Sequence, residues 1–372
     1  MNSEPRVSVV MAAYNAEKYL SQAVDSILSQ TLADFELIVV DDASTDATRA
    51  VLESYSDPRI RAVYNPSNLG QCVSRNKALA AAQGKYIAIL DADDIALSSR
   101  LEKQAEWLDR HPETGLLGSY AVTIDEQGKE HARWDYSPTD DAAIKWALLF
   151  TNVFIHSSVM MRKSVVDQTE GYSNEECIRR AFVEDYELLS RLNRWAQAAV
   201  LPEVLVKYRI HPRSASIHTA AEQRRRVEDV ARRNMAWLSG SPVSDVAWRG
   251  LTRLAPNWAP LSAEEAREGL ALNEAIHEAF ARRYLDADSA RQRRRRYDLV
   301  WARRAFAQAR RNPYLDRRCR TVMLRAAAKL LAEACLPPVR GWLAAGKTVG
   351  ATSSTCWPGK PAKAEGKSCN NA

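Results

Sequence analysis

Tyr86-Ile87-Ala88-Ile89-Leu90-Asp91-Ala92-Asp93-Asp94 is a mostly apolar run that ends in three carboxylates within four positions. A short unbroken run of this kind is what a strand buried on both faces shows. In an open α/β sheet, ligands sit beyond the carboxyl ends of the strands, so these acids stand at the mouth of a crevice. Packed this closely, carboxylates repel one another and resist ionisation unless a cation is shared between them. Oxygen-rich sites of this type suit Mg2+ or Mn2+, which are usually bound together with substrate phosphates. Two readings stay open at this point: a metal site, and a strand that ends in a solvated acidic turn.

Working outward, the upstream chain alternates strands with helices. Residues 7–13 read as a first strand, and Asn15 as the N-cap of a helix with the apolar stripe Leu20, Ala23, Val24, Ile27 and Leu28. Residues 35–40 form a second strand that runs into Asp41-Asp42, and Ser44 and Asp46 can cap the next helix. A third strand covers 60–64, Asn68-Leu69-Gly70 turns, and a helix over 73–82 stops at Gly84. This spacing predicts a parallel, doubly wound sheet. Downstream, 100–111 is helical and 116–125 with 131–136 makes a hairpin. A helix over 139–150, a strand over 157–162 and a helix over 182–195 follow. Two short strands, near 198–201 and 204–210, close the unit.

From Ala220 the character changes to long Ala-, Arg- and Leu-rich helical stretches. The division expected is a catalytic unit over 1–218, a helical Arg-rich region over 219–345, and a disordered Ser/Thr/Lys/Gly-rich tail over 346–372. The formal charge is +6. Acidic side chains outnumber basic ones up to residue 219 and the reverse holds beyond it, so the helical region could face phosphates, nucleic acid or an anionic membrane. Six cysteines are scattered without a CxxC pair, which fits reduced thiols better than a zinc site or a disulfide framework. There is no apolar leader before the first strand and no run of about 18 apolar residues, so the expected location is cytoplasmic.

Four groups can converge on one sheet edge. Asp41-Asp42 at a strand end can accept a base imide N–H or ribose hydroxyls. Arg75 near a helix start suits a base edge or a diphosphate, and equally a solvated helix face. The acidic cluster is the third group. The fourth is Glu184-Asp185, where Asp185 shares a helical face with Phe182, Leu188, Leu189 and Leu192. A carboxylate on an apolar face is costly unless paired or functional, and at a cleft its raised pKa suits a general base. A buried salt bridge is the competing reading.

These pieces together resemble family 2 glycosyltransferases. The resemblance rests on Val7 to Asn15, Val39-Val40-Asp41-Asp42-Ala43-Ser44-Thr45-Asp46, Asn68-Leu69-Gly70 with Arg75-Asn76, Leu90 to Asp94, and Glu184-Asp185-Tyr186-Glu187. It covers about residues 5–215. Phe154 to Met160, Gly171-Tyr172 and Tyr208-Arg209-Ile210-His211-Pro212 are similar to the branch that builds bacterial O-antigens and capsules. The resemblance implies a GT-A type α/β fold and transfer of a sugar from a nucleotide-diphospho-sugar donor, UDP-linked, to a glycan or lipid-linked acceptor. It implies Asp185 as catalytic base, Tyr14, Asp42, Arg75 and Asp91 as nucleotide-sugar contacts, and Asp93 with His211 near an Mn2+ or Mg2+ ion. His156 is left between a packed core histidine and an acceptor contact.

Departures from the family pattern are Ala43 and Glu170 where glycine is often found, and Ser98-Ser99 where a proline often precedes the arginine. The QxxRW element of processive synthases is missing, which favours addition of one sugar over polymerisation. Arg224-Arg225-Arg226, Arg232-Arg233 and the Arg293–Arg296 run read either as solvated helix faces or as a peripheral attachment to the inner face of an anionic membrane. Nucleic acid is not an expected partner, since no recognised module accompanies the charge. Two other functions compete: a nucleotide-sugar-binding scaffold without turnover, and a haloacid-dehalogenase-type phosphatase that uses Asp91 as nucleophile.

Overall fold

The computed structural model describes residues 4–173, 183–212, 214, 220–253, 261–290, 292, 315 and 317–334. The first strand, β1 (Val7–Ala13), pairs in parallel with β2 (Phe35–Asp41) and with β4 (Tyr86–Ile89), and β2 pairs in parallel with β3 (Ile60–Tyr64). Side chains alternate across a strand, and here both faces are covered. Val10, Ile38, Val40, Ile87 and Ile89 enter one core, whereas Val9, Met11, Leu37, Val39, Tyr86 and Ala88 enter the other. The helices α1 (Leu20–Leu28), α2 (Thr48–Glu53), α3 (Gln71–Ala81) and α4 (Arg100–Arg110) connect and flank this half. The carboxyl ends of β1, β2 and β4 therefore open on one edge, where Tyr14, Asp42 and Asp91 follow.

The rest of the sheet departs from the parallel expectation. β8 (Met160–Arg162) runs antiparallel to β4 and to β6 (Thr114–Ile124), and the full order is β3-β2-β1-β4-β8-β6-β9-β5. Here β5 is Ile95–Ala96 and β9 is Gln197–Arg209; β7 (Glu130–Trp134) makes the expected hairpin on β6. The two short closing strands of the sequence reading are one strand, β9. Its register jumps from Leu201, opposite Ser119, to Val204, opposite Tyr120, so exposed Pro202 and Glu203 bulge out without breaking it.

Some local expectations also change. Asn15 does not cap α1; it sits in the left-handed region at φ 50, and its side-chain oxygen accepts the Thr45 N–H at 2.8 Å. Ser44 Oγ in turn accepts the Asn15 N–H and donates to Asp41, so the loops after β1 and β2 are laced together. The strand read over 157–162 begins as a turn of 3-10 helix, His156–Ser158. Cys72 is disulfide-bonded, against the reading of thiols throughout.

Beyond β7 come α5 (Asp141–Ala147), α6 (Lys163–Val166) and α7 (Glu184–Leu192). The helices α8 (Ala220–Ser239), α9 (Asp245–Arg253), α10 (Ala263–Tyr284) and α11 (Arg317–Ala334) follow. Ala231, Met235, Trp248, Ile276 and Phe280 pack with Trp146, Leu149 and Phe150, so the helices share a core with the sheet's flank. α9 and α10 cross at glycines, where a Cβ on Gly269 would lie 2.4 Å from the Gly250 carbonyl carbon. A Ser262/Glu265 capping box starts α10. No helix among the described residues is long and apolar enough to cross a membrane. Phe182, the Arg293–Arg296 run and the 346–372 tail lie outside the described residues.

Candidate active site

The three acids after β4 meet three different fates. Asp91 accepts Arg75 Nη2 at 2.7 Å on one oxygen, and its other oxygen lies 3.3 Å from His156 Nδ1. Burial alone would raise its pKa, but Arg75 and His156 outweigh burial and hold the carboxyl well below the usual range. Asp94 is 1% exposed and accepts the Arg209 N–H at 2.7 Å. Burial, then repulsion from Asp93 and Asp91, pushes its pKa well up. Asp93 is the accessible one, its carboxylate 3.0 Å from His211 Nε2 with about a third of the side chain exposed. The cation that Asp91 shares is thus a guanidinium of the chain itself.

Arg75 is a strut. One Nη holds Asp91 and the other donates to Glu184 at 2.8 Å, while the guanidinium lies 5.6 Å from the centroid of the Tyr172 ring. Gln71 also donates to Glu184, at 2.5 Å. Burial would drive the proton off Arg75, yet Asp91 and Glu184 more than offset it and its pKa is raised. A guanidinium on α3 thereby ties the acidic loop after β4 to the first turn of α7. The next residue on α7 is Asp185.

Asp185 accepts Asn152 Nδ2 at 2.9 Å and the Tyr186 N–H at 2.7 Å, and it stays half-buried. Burial raises its pKa to about 6; His156 and Arg75 pull it down and Glu184 pushes it up. Its helix is anchored through buried Leu188, Leu189 and Leu192, the stripe expected from spacing. His156 proves to be a connecting group, with Nε2 2.8 Å from the Tyr172 hydroxyl and Nδ1 toward Asp91. Nothing in the sequence marks Asn152, and the roles of Tyr172 and His156 needed the fold to bring 91, 156, 172 and 185 together.

Asp42 is 2% exposed, and both its oxygens are engaged, by Asn65 Nδ2 and the Leu69 N–H on one and the Gly70 N–H on the other. It fixes the turn before α3, where Gly70 has φ 90. Tyr14, at the end of β1, is 50% exposed. Ala43 adopts φ 58, the left-handed conformation in which glycine would be unstrained. Arg209 braces the acidic loop from behind, donating to the Asp93, Asp125 and Glu126 carbonyls. Among the described residues no three His, Cys, Asp or Glu side chains gather around a point that could enclose a metal ion. The Asp93 carboxylate is the kind of oxygen donor that Mg2+ or Mn2+ takes together with phosphates and water, and His211 stands beside it at 3.0 Å.

The profile for "Glycosyl transferase family 2" matches residues 8–169. An uncharacterized glycosyltransferase of Haemophilus influenzae is 35% identical over 246 residues, covering 64% of this chain and 75% of that protein. The chain belongs to glycosyl transferase family 2. As a glycosyltransferase it is also 40% identical over 116 residues to the Escherichia coli UDP-Glc:alpha-D-GlcNAc-diphosphoundecaprenol beta-1,3-glucosyltransferase WfgD, covering 32% of this chain and 46% of that one. The structure of S. aureus TarS 1-349 in complex with UDP-GlcNAc matches with a TM-score of 0.52 and 18% identity, covering 87% of this chain and 92% of that chain. The fold of this glycosyltransferase is accordingly GT-A type.

Proposed function

We propose that the chain inverts configuration as it transfers a single sugar from a UDP-linked nucleotide-diphospho-sugar to a hydroxyl of a glycan or lipid-linked acceptor. Its place is the assembly of a bacterial surface polysaccharide. The observation that carries this reading is Asp185: an accessible carboxylate with a pKa raised to about 6, tied through Glu184 and Arg75 to the acidic loop. A base of that strength is largely ionised at neutral pH and still basic enough to take a hydroxyl proton. WfgD is a UDP-Glc-dependent glucosyltransferase and TarS is seen in complex with UDP-GlcNAc, which supports the choice of donor.

The donor side is served by Tyr14, Asp42, Arg75 and Asp91. Tyr14 offers an exposed ring to the base. For Asp42 to accept a base imide N–H, its carboxylate must exchange a loop N–H for it, so the base site opens together with the turn before α3. Arg75 acts through Asp91 and Glu184, because both its terminal nitrogens are already engaged. Asp93 and His211 would hold a Mn2+ or Mg2+ ion, and when bound such an ion neutralises charge on the diphosphate leaving group. Asp185→Asn should cut turnover by about 10²–10⁴-fold with donor affinity nearly intact. Near-normal turnover in that variant rules Asp185 out as base. Asp93→Ala should weaken donor binding measured with Mn2+; unchanged affinity counts against a metal there.

A nucleotide-sugar scaffold would bind donor without transfer, and the turnover assay separates the two. The phosphatase reading needs a free nucleophile, whereas Asp91 is held by Arg75 and His156. Peripheral attachment to the inner face of an anionic membrane is supported by the exposed Arg224, Arg225 and Arg233 of α8. Flotation with anionic vesicles at low salt tests it, and no binding there defeats it.

A further inference from the structure

The hairpin strand β7 ends in an aromatic pair that the mechanism above does not use. The rings of Trp134 and Tyr136 stack with centroids 5.1 Å apart and planes inclined by 28°. Tyr136 is 60% exposed, one of the most exposed large apolar side chains among the described residues. Trp134 lies against the small cluster of Ala121, Ile155 and Val206. Its indole N–H is buried without an acceptor among the described residues, which costs stability.

What lies beneath this pair connects it to the base. Ser137, next in the chain, donates from its hydroxyl to the Val153 carbonyl at 2.7 Å. Residues 152–156 therefore form one short segment that touches both groups. Ile155 packs with Trp134 and Val153 accepts from Ser137, while Asn152 holds Asp185 at 2.9 Å and His156 reaches Asp91. The aromatic pair and the base share a single backing segment, a continuity that a lone surface aromatic lacks.

We propose that Trp134 and Tyr136 form the platform on which a pyranose ring of the acceptor glycan stacks while its neighbouring hydroxyl is presented to Asp185. The inference rests on the transferase reading above and adds the acceptor's seat to it. A pyranose has a face of C–H groups and a rim of hydroxyls. A flat, half-solvated aromatic surface suits the face, and the tyrosine hydroxyl keeps a polar edge for the rim. Exposed apolar surface can mark a binding site. The competing account is a cover for the edge strand β7, which needs bulk at these positions but no ligand.

The test is saturation-transfer NMR on the full chain with a panel of soluble octyl glycosides of glucose, N-acetylglucosamine, galactose, mannose and rhamnose, irradiating the aromatic protons. At least one glycoside should receive saturation at its ring protons. Tyr136→Ala should weaken that glycoside about tenfold and Tyr136→Phe by less than about twofold, a gap of the size that ring contacts produce. Tyr136 is exposed, so loss of fold is not expected to obscure the result. Thermal shift of the wild-type chain with UDP-sugars is read in parallel. A chain that no nucleotide sugar stabilises fails the transferase reading. A chain stabilised by donor whose aromatic protons transfer saturation to no glycoside, or whose Tyr136→Ala variant binds like wild type, overturns the platform alone.

Discussion

The acidic loop after β4 and the first turn of α7 each carry a half-buried carboxylate, and the two are held in opposite states. Burial pushes both Asp91 and Asp185 towards the neutral form. At Asp91 a guanidinium in direct contact wins, and the group stays ionised. At Asp185 the same guanidinium acts only through space, Glu184 stands next door, and burial wins. One arginine placed between two segments therefore makes a permanent anion on one side and a titratable base on the other. Acid-base assignment here follows from which donors are bonded to each acid, Arg75 and His156 at Asp91, not from how deeply each acid is buried.

The comparison can be broken by removing the cation. Arg75→Met should leave Asp91 and Glu184 buried without their partner and destabilise the fold by about 3–5 kcal/mol. Thermal or urea unfolding measures this, and a loss under about 1 kcal/mol would show that the strut carries no weight. A smaller effect sharpens it. Glu184 is one of the groups that raise Asp185, so Glu184→Gln should lower the Asp185 pKa. Protonated Asp185 cannot accept a proton, so wild-type kcat/KM should fall as pH drops through about 6. In Glu184→Gln that fall should begin at lower pH, and a limb at unchanged pH would mean the base lies elsewhere.

Much of this arrangement was legible before the fold. The apolar run 86–90, the strand-helix alternation and the leucine stripe behind Asp185 follow from periodicity, and β1 to β4 fall where those patterns lie. Pairing that crosses long stretches of chain was not legible. Nothing local announces that β8 inserts antiparallel beside β4, because a three-residue strand carries no period. Asn15 had the composition of a helix cap but is claimed by the Thr45 N–H, a contact set by two strand ends meeting. The same holds for Arg75, which reads from sequence as a ligand contact or a surface residue. Only the approach of α3, α7 and the loop after β4 turns it into a strut. Asn152 carries no sequence signal, and Tyr172 is marked only by the resemblance of its segment, because the role of each lies in which acid or histidine it touches.

Asp185 and Asp91 differ in ionisation because Arg75 is bonded to Asp91 and not to Asp185. This can be measured by a carbon-13 NMR titration of the aspartate carboxyl groups, assigned with Asp185→Asn and Asp91→Asn. The Asp185 resonance should titrate near pH 6, and the Asp91 resonance should stay in the ionised position down to the pH at which the chain unfolds. An Asp185 resonance that titrates near 4, as a solvated aspartate does, would contradict it.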